Sequence, residues 1–189
     1  KRRTLAGKKS PVVRQTAVSL TQGLRQKDFY AEITALFRFV RDRIRYIKDV
    51  RNVETLHTPE MVLSNKQGDC DDKSLLLASL LESIGFRTRF VAVGFRANEY
   101  SHVYTEVFYN AQWLPLETTE NVDIGWQPKK VVSRLIVTND DGTGGVGTLG
   151  GKRVKKVLAQ VAASAAAAQA AAAANPADAA AQQYAADWA

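Results

Sequence analysis

The chain has 189 residues, 46% of them apolar, which suits one domain with a buried core plus additional segments. Its single cysteine excludes an intrachain disulfide and a structural zinc cluster built on thiolates. The net charge of +7 is unevenly placed: residues 1–27 hold eight Lys/Arg and no acid, whereas residues 28–141 hold fourteen basic and seventeen acidic residues. That distribution argues against a nucleic-acid surface across the whole domain. A basic arm that meets an acidic protein face or nucleic acid stays open.

The basic opening KRRTLAGKKS leads into no compact apolar region, so no secretory signal is expected, and no stretch is apolar enough to span a bilayer. Residues 29–46 (FYAEITALFRFVRDRIRY) place Phe29, Ile33, Leu36, Phe37, Val40 and Ile44 at helical spacing and predict an amphipathic helix. Thr58 and Pro59 open a short helical turn in TPEMVLSN. Asp69 can cap a helix over residues 70–84 (CDDKSLLLASLLESI), with Gly85 as its terminator.

Three strand-like segments follow at 87–95, 102–109 and 112–118, the last two joined by the tight connection Asn110-Ala111. A further apolar run at 131–137 closes the domain. The pattern of a meander packed on helices is α+β. Residues 139–152 are glycine-rich and read as a linker; residues 153–189 read as an alanine-rich helical tail.

Cys70 begins the third predicted helix, where unpaired backbone N–H groups favour a thiolate. Asp69, Asp71 and Asp72 crowd it with negative charge, so a compensating group is expected. Asp71 and Asp72 suit the first turn of a helix, and His102 as imidazolium would hold the thiolate despite them. In a hairpin turning at Asn110-Ala111, His102 and Glu117 lie close enough for a diagonal contact that would orient the imidazole. DCDDKSLLL lacks the alternating ligands, glycine and later glutamate of a calcium loop, so metal binding is not expected. His57 reads as a surface or capping residue, and Tyr104, Phe108, Trp113 and Trp126 as sheet core or cleft wall.

The order of GDCDDKSLLLASLLESIGFRTRFVAVG, SHVYTEVFYNAQWLPLETT and the upstream RDRIRYIKDVRNVETLHTPEMVL resembles the transglutaminase-like superfamily over residues 29–126. The resemblance implies a papain-like α+β core, its nucleophile helix packed on an antiparallel sheet. It implies Cys70 as nucleophile, His102 as general base and acid, and Glu117 in the orienting position where the family usually has Asp. The oxyanion hole would use the Cys70 N–H and a second donor, for which Gln67 is a candidate.

The expected organisation is a basic N-terminal arm (1–27), a transglutaminase-like domain (28–138), a linker (139–152) and a tail (153–189). The expected activity is acyl transfer on a peptide, isopeptide or peptidoglycan-type amide through a Cys70 thioester, with no cofactor. The alternative is a structural component of a large assembly, such as a phage virion at its tail or head–tail region, held by partners through both arms. Nucleic-acid binding through residues 1–27 ranks last, and the compartment is left open.

Overall fold

The computed structural model describes residues 2–48, 56–97, 99–138 and 146–149. Five helices precede the main sheet: α1 (Arg2–Gly7), α2 (Pro11–Thr21), α3 (Phe29–Arg43), α4 (Pro59–Asn65) and α5 (Cys70–Ser83). Two short strands, β1 (Arg45–Tyr46) and β2 (Gln67–Gly68), pair in parallel just ahead of Cys70. The main sheet holds β3 (Thr88–Gly94), β4 (His102–Tyr109), β5 (Gln112–Leu116), β6 (Ser133–Thr138) and β7 (Val146–Leu149) in the order β5-β4-β3-β6-β7, with every pairing antiparallel. The expected α+β architecture, a nucleophile-bearing helix on an antiparallel sheet, is what forms.

Local chemistry fixes the helix ends. The Asp28, Thr58 and Asp69 side chains accept from the backbone N–H of Ala31, Met61 and Asp72 and so cap α3, α4 and α5. Gly85, at φ +103°, terminates α5, while the Phe86 N–H returns to Leu81 O. Helix α3 stops three residues before the sequence pattern does. Buried Lys73 supplies the reason: its Nζ donates to Ile44 O at 2.6 Å and Arg41 O at 3.2 Å, capping the carbonyls that a longer helix would have used.

The LLLASLL run of α5 is apolar on all sides because the helix is surrounded. Leu76, Leu77, Leu80 and Leu81 meet Leu36 and Phe37 of α3, Val62 of α4, and Val107, Leu114 and Leu116 of the sheet. Val13 and Ala17 of α2 are also fully buried in this core. Residues 2–27, read from charge as an arm, therefore contribute two helices to the domain. A count of lysines and arginines does not register the buried apolar positions Val13 and Ala17 that join α2 to the core.

Alternation along the strands divides the sheet. Thr105 and Val107 face α5, with Thr105 Oγ1 donating to Ser74 O. His102, Tyr104, Glu106 and Phe108 take the opposite, outer face, beside Arg89, Val91 and Val93 of β3 and Arg134 and Ile136 of β6. The β4–β5 hairpin turns on Asn110 (φ 48°) and Ala111 (φ 62°), the two left-handed positions of a type I′ turn. Alanine is a poor occupant there. Ala111→Gly is expected to stabilise the fold by about 0.5–1 kcal/mol, read as a higher urea midpoint at unchanged slope.

Part of the range read as linker, Val146–Leu149, pairs with β6 as the edge strand. The rest of that range past Thr138, and the alanine-rich segment 153–189, lie outside the described residues.

Candidate active site

Cys70 is the first residue of α5, partly buried, directly after the cap Asp69. Its Sγ donates to Asp71 Oδ1 at 3.4 Å. Burial, followed by the Asp71 charge, pushes the thiol up to about 12, and Asp69 adds to the rise. The Val103 backbone N–H pulls the other way but does not offset them. The Cys70 sulfur is thus turned toward a carboxylate rather than toward His102.

His102 opens β4. The pairing Thr105↔Leu116, continued one step, sets Glu117 opposite Tyr104, on the diagonal from His102. His102 Nε2 lies 2.6 Å from Glu117 Oε2. The extra methylene of glutamate, compared with aspartate, spans that diagonal. Glu117 is fully buried, and its other oxygen accepts from the Thr119 N–H at 2.8 Å and the Thr119 hydroxyl at 2.7 Å. Burial alone would raise its carboxyl, but the His102 and Thr119 hydrogen bonds outweigh that and hold it below the usual carboxylate range.

The structure brings His102 and Glu117 into contact, and the Val103 N–H joins the same strand to Cys70 Sγ. Among the described residues no hydrogen bond links Cys70 to His102 directly. Because Glu117 occupies Nε2, Nδ1 is the imidazole nitrogen left to exchange a proton with a substrate or with Cys70. Gln67, the candidate second oxyanion donor, is exposed, and its Oε1 accepts from Arg45 at 3.1 Å.

Sequence reasoning missed three features. Asp72 is not merely a first-turn charge. It is buried at 1% exposure, and its carboxylate takes both the His57 backbone N–H at 2.8 Å and the His57 ring Nδ1 at 2.6 Å. Gly68 makes room for this, since a methyl there would sit 2.6 Å from Asp72 Cβ. Lys73, held at the end of α3, is pushed down to about 8 by burial, against the opposing pull of Glu117 and Asp42. Behind His102, buried Glu106 bridges Arg89 and Arg134, each at 2.6 Å. Among the described residues no cluster of His, Cys, Asp and Glu could hold a metal ion, and no helix is long and apolar enough to cross a membrane.

The transglutaminase-like superfamily model matches residues 14–118, more than half of the chain, and the chain belongs to that superfamily. At family level this is the architecture of a cysteine-dependent enzyme. No curated protein matches in sequence.

Similar solved structures include the following three. A candidate protease from Parabacteroides distasonis aligns with TM-score 0.55 at 11% identity, covering 76% of this chain and 29% of that one. Rad4–Rad23 bound to a 6-4 photoproduct UV lesion aligns with TM-score 0.52 at 10% identity, covering 77% and 44%. A candidate cysteine protease from Cytophaga hutchinsonii aligns with TM-score 0.48 at 14% identity, covering 74% and 50%. The chain spans half or less of each of these proteins. The first two share the fold yet differ in description, so the fold limits architecture and leaves the substrate open.

Proposed function

We propose that this domain is a cysteine-dependent acyl-transfer enzyme, a peptidase, amidase or transamidase, that works through a Cys70 thioester. The observation that carries the reading is the His102–Glu117 hydrogen bond beside the N-terminus of the Cys70 helix. Glu117 keeps His102 in one orientation and stabilises its charged form while it holds a proton.

As Sγ attacks the substrate carbonyl, the S–C bond forms, the carbonyl electrons move to oxygen, and the thiol proton passes to His102 Nδ1. The Cys70 backbone N–H at the helix terminus faces the oxyanion. Collapse breaks the C–N bond, and His102 returns the proton to the departing amine. Water or a second amine then releases the acyl group from sulfur, with His102 again taking and returning a proton. With the Cys70 thiol held up by burial and the Asp71 charge, its proton leaves during attack.

The test uses a positional library of quenched fluorescent peptides. Cys70→Ala and His102→Ala are expected to lose turnover by about 10⁴-fold or more while circular dichroism and thermal melting stay native. Turnover undiminished in Cys70→Ala would end the proposal. Added primary amine separates the outcomes, since an amide product marks transfer and a free acid marks hydrolysis. Nothing in the fold or the relatives favours a virion component instead.

A further inference from the structure

Strand β5 ends at Leu116, and Glu117 follows it directly. The two oxygens of its carboxylate have different partners. Oε2 meets His102 Nε2 at 2.6 Å, whereas Oε1 accepts twice from Thr119, from the backbone N–H at 2.8 Å and from the hydroxyl at 2.7 Å. Among the described residues no other group donates to this carboxylate. Lys73 of α5 and Tyr104 of β4 feel its charge, but the ammonium donates to Ile44 O and Arg41 O, and the phenol to Gln127.

The grip on Oε1 decides where Oε2 goes. A glutamate side chain turns about several bonds before its carboxylate, so attachment to the backbone leaves its direction open. Holding Oε1 against a group two residues along the same chain removes that freedom, and His102 stands where Oε2 then points. Of the two donors, the backbone N–H would be supplied by any residue except proline at position 119. The hydroxyl is the part of the grip that the side chain adds. Glu117 is 0% exposed, so the loss of that donor at a buried anion is costly.

Resting on the acyl-transfer reading above, we propose that Thr119 is a positioning residue whose hydroxyl sets the Glu117 carboxylate so that Oε2 holds His102 by Nε2 and leaves Nδ1 for proton transfer. Thr119 acts through Glu117. Among the described residues it makes no hydrogen bond to His102 or Cys70. Its effect is greatest when His102 carries the extra proton and Glu117 faces a full positive charge, so it falls on kcat more than on KM.

The experiment compares wild type with Thr119→Val, which keeps the shape and the backbone N–H but not the hydroxyl, and with Thr119→Ser, which keeps the hydroxyl. On a quenched fluorescent peptide, Thr119→Val is expected to lower kcat about 5- to 30-fold with KM changed by less than about twofold. Thr119→Ser is expected to stay within about twofold of wild type in both. An unchanged kcat in Thr119→Val, or an equal loss in Thr119→Ser, overturns the assignment.

A second readout needs no substrate. The chain has two histidines, and they are bonded through different nitrogens, His57 through Nδ1 and His102 through Nε2. Nitrogen-15 NMR therefore distinguishes the Nε2 proton of His102, which a short bond to a carboxylate shifts downfield. That resonance is expected in wild type and in Thr119→Ser, and is expected to move upfield and exchange faster with water in Thr119→Val. If wild type turns over no peptide, the acyl-transfer reading fails and this resonance alone decides whether Thr119 holds His102 through Glu117. No downfield resonance in wild type, or the same one in all three proteins, overturns the role of Thr119.

Discussion

Iodoacetamide modification of Cys70 is expected to be slow at neutral pH and to climb about tenfold per pH unit from pH 7 to pH 10, without a plateau. The thiolate is the reacting species, and a thiol pushed up to about 12 has a thiolate fraction of about 10⁻⁵ at pH 7. Burial is the largest cause and the Asp71 charge the next. Asp71→Asn removes that charge and leaves only a neutral amide oxygen as the acceptor 3.4 Å from Sγ, so modification should be faster at every pH below 10. Mass spectrometry of the modified protein gives the rates. A plateau below pH 7 that disappears in His102→Ala would establish a standing thiolate–imidazolium pair and overturn this expectation. The mechanistic consequence is direct: with a resting thiol, His102 must act as a base in the attack itself, and the hydrogen bond to Glu117 matters most once His102 becomes charged.

Local signals in the sequence carried far. Asp69 before a leucine-rich run located α5 and put Cys70 at its first position, because capping and helical periodicity act within a few residues. The Asn110-Ala111 turn gave the register of β4 and β5, and register alone set Glu117 on the diagonal from His102.

What stayed hidden depends on distant packing. Asp72 meets His57 across fifteen positions, Lys73 meets Ile44 across twenty-nine, and Arg134 meets Glu106 across twenty-eight. Each side chain alone reads as an ordinary surface charge, and no turn of known geometry ties its element to its partner's. The Cys70 environment was legible only in part for a related reason. The sign of the Asp71 effect was legible, but the degree of burial was not, and burial dominates. Composition misread residues 2–27 because it counts charge without saying which face carries it, while Val13 and Ala17 close the core from the other face.

The buried cluster behind His102 gives the largest expected loss of stability. Glu106 is fully buried and is the carboxylate that both Arg89 and Arg134 grip. Glu106→Ala would leave the 1% exposed Arg134 facing Arg89 with no anion between them. An ion stranded in this way costs about 3–5 kcal/mol, so the melting temperature should fall by roughly 10 °C.

Arg134→Met should cost less, because Glu106 keeps Arg89 as a partner. Glu106→Leu combined with Arg134→Met should recover much of the loss, since the penalty lies in the unpaired charge rather than in the absence of the pair. Equal destabilisation by the single and double variants would show that packing volume is what matters. The cluster also supports the site: Tyr104 beside His102 is held through Gln127 and Arg134, and Arg134 through Glu106. A Glu106 variant that still folds should therefore lose turnover through a less well-held His102, and Arg134→Met should share that loss despite its smaller effect on melting.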